Sequence, residues 1–245
     1  MRGGARRKQD QLRRLWIREL VRRPRKTKGV AFFSGGKDSV MAIMKATESG
    51  VLIDHLLFNI HNFPRPNPHQ LNDKVVAAIA RLTGIPLVTR HLVKGLESQM
   101  LRQTLLQLGA SVVVSGNINV DDQVQWYKEI CDPIKIELVT PLWVGSGRSS
   151  LNILLEELRA GIKPVIVHVD SKYLPRSMIG EVIDEGMIPE LLARCDPCGE
   201  NGEFHTLVLE APIMGRSSIT IDDYEVFTVN SHHLMAIKKY GVKRA

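Results

Sequence analysis

The chain of 245 residues carries 33 Lys and Arg against 26 Asp and Glu, a formal net charge of +7, and 44% of its residues are hydrophobic. This composition excludes a collagenous or intrinsically disordered chain, and no run approaches the roughly 18 uninterrupted apolar residues of a membrane span. Three cysteines argue against a disulfide-stapled secreted protein, so we expect a cytoplasmic protein without a membrane partner.

The positive charge is concentrated in a basic N-terminal extension, residues 1–28, which holds 12 Lys and Arg but 2 acidic residues. Leucines and Trp16 recur there at helical spacing between arginines, which is typical of a short basic amphipathic helix. Three interpretations stay open: a solvated extension, a contact with RNA or another polyanion, and an organellar transit peptide. We base no function on this segment.

From residue 29 onward, apolar runs of strand length alternate with helical patterns. Strands are predicted at 29–33, 51–58, 86–92 and 111–114, helices at 40–49, 73–82 and 96–108, and a proline-rich loop at 61–69. Strands separated by helices predict an α/β fold with a parallel sheet and a ligand at the carboxyl ends of its strands. We assign residues 29–142 to this domain.

Beyond residue 142 the pattern predicts a smaller α+β domain, residues 143–245. A helix is expected at 149–160, a strand at 164–169, two short helices near 178–183 and 188–194, and strands at 206–210, 217–221 and 224–229. The tandem His232-His233 is expected to be a solvated strand end rather than a set of ligands.

The strongest chemical signal is the hexapeptide S-G-G-K-D-S that follows the first strand. Its residues are Ser34, Gly35, Gly36, Lys37, Asp38 and Ser39. The glycines let the backbone approach a phosphate, and the N–H groups of the first helical turn favour an anion. The lysine adds a positive charge, and we expect it to be an exposed loop residue with little effect on stability. The serines add hydroxyl donors, and the aspartate suits a bound Mg²⁺. The spacing is neither that of the Walker loop nor that of the dinucleotide fingerprint.

The second signal is the stretch C-G-E-N-G-E-F-H-T, residues 198–206. It packs two carboxylates, an amide and an imidazole into nine residues, and its glycines with Asn201 predict a turn that exposes these side chains. From composition alone, a polar hairpin with a satisfied histidine is an equally good interpretation.

A C-x-x-C pair, Cys195 and Cys198, raises the question of zinc or redox chemistry. Structural zinc requires four ligands, and only Cys131 and His205 are available as extras. The pair also lies far from a helix start after the first strand, where a thioredoxin-like motif belongs. Packing or hydrogen bonding is the favoured role of Cys198.

Residues 34–39 resemble the PP-loop, or N-type ATP pyrophosphatase, superfamily, whose nucleotide-binding domain is HUP-like. Together with residues 198–206, with Pro141-Leu142-Trp143 and with residues 154–169, they resemble the diphthine–ammonia ligases. The resemblance implies that ATP, with Mg²⁺, adenylates the diphthine carboxylate on translation elongation factor 2. Ammonia then displaces AMP, so that the products are diphthamide, AMP and pyrophosphate. Free ammonium, or ammonia from another protein, is the expected nitrogen source.

The resemblance also implies roles for individual residues. Residues 34–39, Gly116 and Asn117 are expected to bind ATP, and Asp38 is expected to bind Mg²⁺. The residues expected to bind the acceptor substrate are Glu200, Asn201, Gly202, Glu203, Phe204 and Thr206. The catalytic residues are Lys37, Asp38, Glu203 and His205, with Glu203 or His205 as the base that keeps ammonia unprotonated. Aromatic faces for the trimethylammonium group of diphthine are available from Trp126, Tyr127 and Trp143.

The chain departs from the family pattern after Gly116, where only Gln123 and Cys131 fit. An alternative is therefore a PP-loop adenylating enzyme that acts on RNA or on another carboxylate, with Cys131 as the one candidate for sulfur transfer. A nucleotide-binding sensor without catalysis is a third hypothesis, but such a protein has no need of Lys37, Asp38 and Ser39 to bind pyrophosphate.

Overall fold

The computed structural model of the protein describes residues 28–61 and 67–244. The predictions for the basic extension at 1–27 and for the prolines at 62–66 concern residues outside these ranges. Within them, every helix is too short or too polar to cross a lipid bilayer.

The first half of the described chain forms a five-stranded parallel sheet in the order β3-β2-β1-β4-β5, which confirms the predicted α/β class. Its strands are β1 (Gly29–Phe32), β2 (Ile53–His61), β3 (Leu87–Leu92), β4 (Val112–Val114) and β5 (Glu137–Val139). Its helices are α1 (Lys37–Glu48), α2 (Pro68–Leu71), α3 (Asp73–Thr83), α4 (Glu97–Gln107) and α5 (Asp121–Cys131). The central strands β1 and β4 are entirely buried, because helices cover both faces of a parallel sheet.

The second half of the described chain forms a four-stranded antiparallel sheet in the order β7-β6-β9-β8, which confirms the predicted α+β character. Its elements are α6 (Leu151–Arg159), β6 (Lys163–Asp170), α7 (Ile188–Arg194), β7 (Phe204–Glu210), β8 (Ser217–Val229) and β9 (His232–Arg244). One buried apolar cluster contains residues of both sheets, among them Ala31 of β1 and Leu207 of β7. The domain boundary near residue 142 stays a prediction.

The structure corrects several predicted elements. The helix expected near 178–183 is wrong: Arg176–Met178 forms one 3₁₀ turn, Gly180 has φ +93°, and Val182 then bridges to Val165. The runs 217–221 and 224–229 belong to the single strand β8, which continues through irregular pairing at Asp223. Three further elements, α5, β5 and β9, are not predicted from the sequence, because their apolar patterns are short or interrupted by charged residues.

Candidate functional site

A cleft of about 310 Å³ opens beside β1 and β4, where the strand order of the parallel sheet reverses. A ligand crevice is expected at this place in an open parallel sheet. The loop before β7 covers its other side, so both halves of the chain line it. Of the predicted site residues, the ones that line the cleft are Ser34, Gly36, Asp38, Ser39, Gly116, Asn117, Glu200, Phe204, His205 and Thr206. The others, which do not line it, are Gly35, Lys37, Asn201, Gly202 and Glu203.

The turn after β1 is held by partners on β7. Gly35 has φ +74°, and its carbonyl accepts a hydrogen bond from the Val208 N–H at 2.9 Å. The Lys37 N–H donates to Thr206 Oγ1 at 3.3 Å. Gly36, the N-cap of α1, makes no side-chain capping bond. Apart from the Thr206 hydroxyl, no described side chain accepts a hydrogen bond from the first-turn N–H groups, so the positive end of the helix dipole meets the cleft, which favours an anion there.

The loop after β4 packs closely against the first turn of α1. A Cβ on Gly116 would lie 2.9 Å from both the carbonyl carbon and the carbonyl oxygen of Asp38, and 3.1 Å from the Ser39 nitrogen. Only glycine permits this approach. Next to it, Asn117 Nδ2 donates to Gln123 Oε1 at 2.6 Å, which fixes the Asn117 amide at the cleft wall.

We expect Gly116→Ala to weaken nucleotide binding, because the added methyl group must push the first turn of α1 away from β4. Such overpacking costs about 1–3 kcal/mol of unfolding free energy. Calorimetric titration with ATP and thermal denaturation measure the two effects. Gly186→Ala is the matched control, since its Cβ would meet only the flexible side chain of Asp184 within 3.4 Å. Unchanged ATP affinity in Gly116→Ala would contradict the expectation.

Behind the turn lies a buried charge cluster that consists of Lys37, Asp38 and Glu157. The Lys37 ammonium contacts Asp38 Oδ1 and lies 3.4 Å from Glu157 Oε2. Burial alone would lower the pKa of Lys37, but Asp38 first, and then Cys198 and Glu157, outweigh burial and raise that pKa well above its usual value. Burial raises the pKa of Glu157 well above its usual range, and Asp38 adds to the rise while Lys37 opposes it. Lys37 is therefore a cation whose counter-charge comes chiefly from Asp38, and the same ammonium favours ionisation of Glu157.

Among the described residues, one group of three potential metal ligands converges, and it overlaps this cluster. Ligand atoms of Asp38, Glu157 and Cys198 lie within 4.8 Å of one another. Mg²⁺ prefers oxygen ligands, so the two carboxylates suit it and the thiol does not. Because Lys37 already contacts both carboxylates, Mg²⁺ would fit on the side of Asp38 that lines the cleft.

Glu200 is the acidic residue of the 198–206 stretch that reaches the cleft. Its Oε2 accepts the Ile118 N–H at 3.1 Å, which holds the carboxylate beside the loop after β4. Burial first, and the nearby charge of Asp38 second, raise the pKa of Glu200 to about 7, against the opposing effects of Lys37 and the Ile118 N–H. A carboxyl group with this pKa exchanges protons readily near neutral pH.

Glu203 has a different environment, and the expectation that the turn exposes its side chain is wrong. It is 2% exposed and does not line the cleft. Its carboxylate accepts the N–H groups of Asp196 at 3.1 Å and Asn201 at 2.9 Å, and also the Asn201 side-chain amide at 3.0 Å. These contacts close the loop from 196 to 203 upon itself. Glu203 thus stabilises the turn that presents Glu200.

The thiols of the C-x-x-C pair do not face one space. Cys198 lines the cleft, whereas Cys195 lines a separate cavity beside Asp196. Burial raises the pKa of the Cys195 thiol to about 12 and that of Cys198 well above its usual value, although Lys37 opposes the latter. Reactive cysteines have lowered pKa values. The Cys198 N–H instead donates a hydrogen bond to Ser150 Oγ at 3.0 Å, which ties the loop to the start of α6.

Sequence reasoning missed several residues of the site. They are the buried Glu157 and the cleft-lining Phe32, Asn59, His61, His69 and Ser115. Glu157 carried a readable signal, because the buried residues of α6 are Ile153, Leu154 and Glu157, and a carboxylate on an apolar helix face needs a partner. His69 carried none, since only the fold brings α2 to the turn.

Comparisons with known proteins agree with this geometry. The family profile of the diphthamide synthase N-terminal domain matches residues 27–138, and that of the diphthamide synthase C-terminal domain matches residues 150–242. The chain is 24% identical over 230 residues to the diphthine–ammonia ligase of Danio rerio, covering 80% of this chain and 87% of that protein. It is also similar to the U34-tRNA thiolase NcsA from Methanococcus maripaludis, at 17% identity, over 55% of this chain and 57% of that chain. The TM-score of 0.36 is too low for this last likeness to carry an argument.

Proposed function

This chain belongs to the diphthamide synthase family, and we propose that it amidates the diphthine carboxylate on translation elongation factor 2. It is an ATP-dependent ligase that forms C–N bonds. The finer proposal is that ATP is split to AMP and pyrophosphate and that ammonia is the nitrogen donor. One observation carries it: a helix N-terminus suited to phosphates and a carboxyl group with a pKa of about 7 line the same cleft.

The anion-binding turn suits the leaving pyrophosphate. A carboxylate does not react with an amine directly, because its leaving group would be oxide, whereas an adenylated carboxyl group loses AMP. N–H groups of the α1 N-terminus and the hydroxyl of Ser34 are donors for the pyrophosphate charge that develops in the first step. The Ser39 hydroxyl donates instead to the Gly36 carbonyl at 2.8 Å and so stabilises the turn. Lys37 strengthens this field from behind the turn, although its ammonium contacts Asp38 and Glu157 rather than the cleft surface.

Asp38 is the proposed Mg²⁺ ligand, since its carboxylate lines the cleft next to the turn. When bound, Mg²⁺ would neutralise phosphate charge. Asp38 is held in place by the Lys37 ammonium on one side.

Glu200 is the proposed base for the second step, in place of the predicted Glu203 or His205. Burial, with His69 and Lys37 adding to it, lowers the pKa of His205 to about 3, which makes its imidazole a weak base. An ammonium ion must lose a proton before its nitrogen can attack the adenylated carboxyl group, and a carboxylate at the cleft surface is available to accept it. The ring of Tyr127, stacked on Phe32 with 4.5 Å between centroids, also lines the cleft and offers an aromatic face to a trimethylammonium group.

The sulfur-transfer alternative gains no support from the site. Cys131 is fully buried in α5 and does not line the cleft. Burial, with Asp132 adding to it, raises the pKa of its thiol to about 11, so the reactive thiolate is disfavoured.

The proposal is tested by incubating the protein with α-labelled ATP, Mg²⁺ and ammonium, with and without elongation factor 2 that bears diphthine. We expect labelled AMP only when the factor and ammonium are both present, and an amidated side chain by mass spectrometry. AMP formation that depends on transfer RNA, or on another carboxylate but not on the factor, would overturn the proposed acceptor. Formation of ADP would overturn the proposed chemistry.

A further inference from the structure

Four histidines from four different elements form a continuous cluster that begins at the cleft. The ring centroids of His69 and His205 are 5.3 Å apart, those of His205 and His168 are 5.1 Å apart, and those of His168 and His232 are 5.1 Å apart. His168 Nε2 and His232 Nδ1 share a hydrogen bond of 3.0 Å. We call these four residues the histidine cluster.

Strand register builds this arrangement. His168 of β6 lies opposite His205 of β7, and Asp170, two residues further along β6, lies opposite His232 of β9. Because side chains two residues apart in a strand point to the same face, these side chains share one face of the antiparallel sheet. His69 approaches from α2 and completes the cluster on the side of the cleft.

The cluster touches the turn that is suited to phosphates. His69 is hydrogen-bonded to the backbone of Ser34, and its Cε1 lies 3.3 Å from the position that a Cβ on Gly36 would occupy. His69 and His205 line the cleft. Nδ1 of His69 and Nδ1 of His168 are buried and have no hydrogen-bond partner among the residues that the structure describes, so each ring nitrogen has a free site for a proton or for a donor.

Without a nucleotide, three members of the cluster, His69, His168 and His205, are held neutral. Burial lowers the pKa of His69 to about 4 and, together with the neighbouring imidazoles, lowers the pKa values of His168 and His205 to about 3. Lys37 from α1 and His233 from β9 also disfavour protonation, whereas Asp170 and the Ser34 backbone favour it. Among the described residues, no carboxylate raises the pKa of His69 or His205.

We propose that binding of a triphosphate or pyrophosphate group at the 34–39 turn is coupled to proton uptake by the histidine cluster, which then supplies positive charge to the anion. The inference rests on the proposed function, because it assumes that the turn binds phosphates. A phosphate anion within a few ångströms of an imidazole favours its charged form. The shared hydrogen bond and the packed rings allow the added charge to be distributed beyond the residue nearest the phosphate.

The sign of the effect follows from linkage. The histidine pKa values are low in the free protein and higher in the complex, so binding takes up protons at a pH between the two values. Affinity therefore rises as the pH falls below the pKa of the complex toward that of the free protein, by roughly tenfold per pH unit for each proton taken up.

The test is isothermal titration of the full chain with inorganic pyrophosphate and with α,β-methylene ATP, between about pH 5.5 and pH 8, where an imidazole titrates. Two buffers of different ionisation enthalpy report the protons exchanged. His168→Gln removes a member of the cluster that does not line the cleft, and His91→Gln, at an exposed position on β3, is the matched control. If thermal denaturation shows that His168→Gln is unfolded, His232→Gln replaces it. Protons that the pyrophosphate or the nucleotide itself gains or loses on binding are the same for every variant. The difference in proton uptake between variants therefore comes from the histidines.

We expect an uptake of about one proton per bound probe near pH 6.5. The pH dependence of the probe affinity should fall to about half or less in His168→Gln but not in His91→Gln. Binding without proton uptake, or uptake that His168→Gln leaves unchanged, would overturn this inference and leave the proposed function intact. Failure of both probes to bind at every pH would overturn the nucleotide site itself, and the inference with it.

Discussion

Lys37→Ala is expected to abolish AMP formation and to lower the melting temperature by about 6 to 12 °C. Lys37 has no exposed surface, and its ammonium contacts both Asp38 and Glu157. Removing it leaves Glu157, which is also fully buried, without the only cation that pairs with it among the described residues. Breaking a buried ion pair in this way costs about 3 kcal/mol or more of unfolding free energy. The sequence had indicated an exposed loop lysine with little effect on stability, and its burial shows that this was wrong.

Loss of charge and loss of fold are separated by the double variant Lys37→Met, Glu157→Gln. Methionine fills the volume of the lysine stem and glutamine removes the buried charge, so the double variant is expected to regain most of the melting temperature. Turnover should stay absent, since the positive field behind the turn is still missing. Thermal denaturation and the labelled-ATP assay measure the two properties. A single variant that melts like the original protein would show that the cluster contributes nothing to stability.

Glu200→Gln is expected to lower kcat by about 10² or more, because glutamine cannot accept the proton of ammonium. In the unchanged protein a base with a pKa of about 7 must be ionised, so kcat at saturating ammonium should fall as the pH drops below 7 and level off above it. In Glu200→Gln this dependence should disappear while the ATP affinity stays similar. Steady-state rates between about pH 5.5 and 8.5 provide the comparison.

The matched control is Glu203→Gln, three residues away in the same loop. Since Glu203 accepts three hydrogen bonds inside the loop, this substitution should lower stability and retain the pH dependence of the rate. If Glu203→Gln flattens the pH profile and Glu200→Gln does not, the original prediction of Glu203 as the base is correct and our assignment is wrong.

The sequence could predict those parts of the site whose conformation is determined by residues adjacent in the chain. Gly35 and Gly36 lie directly after a buried strand and before a helix, so both the turn and its affinity for anions follow from residues adjacent in the chain. The parallel order of strands likewise follows from alternating patterns, and it places Gly116 at the same sheet edge as the turn.

The rest depends on contacts between distant segments. Nothing in the residues around Lys37 indicates that α6 will bring Glu157 to within 3.4 Å, which is why a buried lysine was taken for an exposed one. The spacing of Glu200 and Glu203 gives two similar carboxylates, and only their partners, the Ile118 N–H and the loop backbone respectively, separate their roles. His168 and His232 become neighbours through strand register alone.

The position of strand β7 limits which substitutions can change the acceptor specificity of this protein. Its Val208 N–H and Thr206 hydroxyl hold the turn after β1, while the segment that leads into it carries Glu200. A relative that acquires a new acceptor by remodelling this segment must therefore preserve the β7 backbone that follows it. Otherwise the turn that we propose to bind the triphosphate loses its support as well. We expect adaptation to new acceptors to be concentrated before Phe204, with the hydroxyl at position 206 retained.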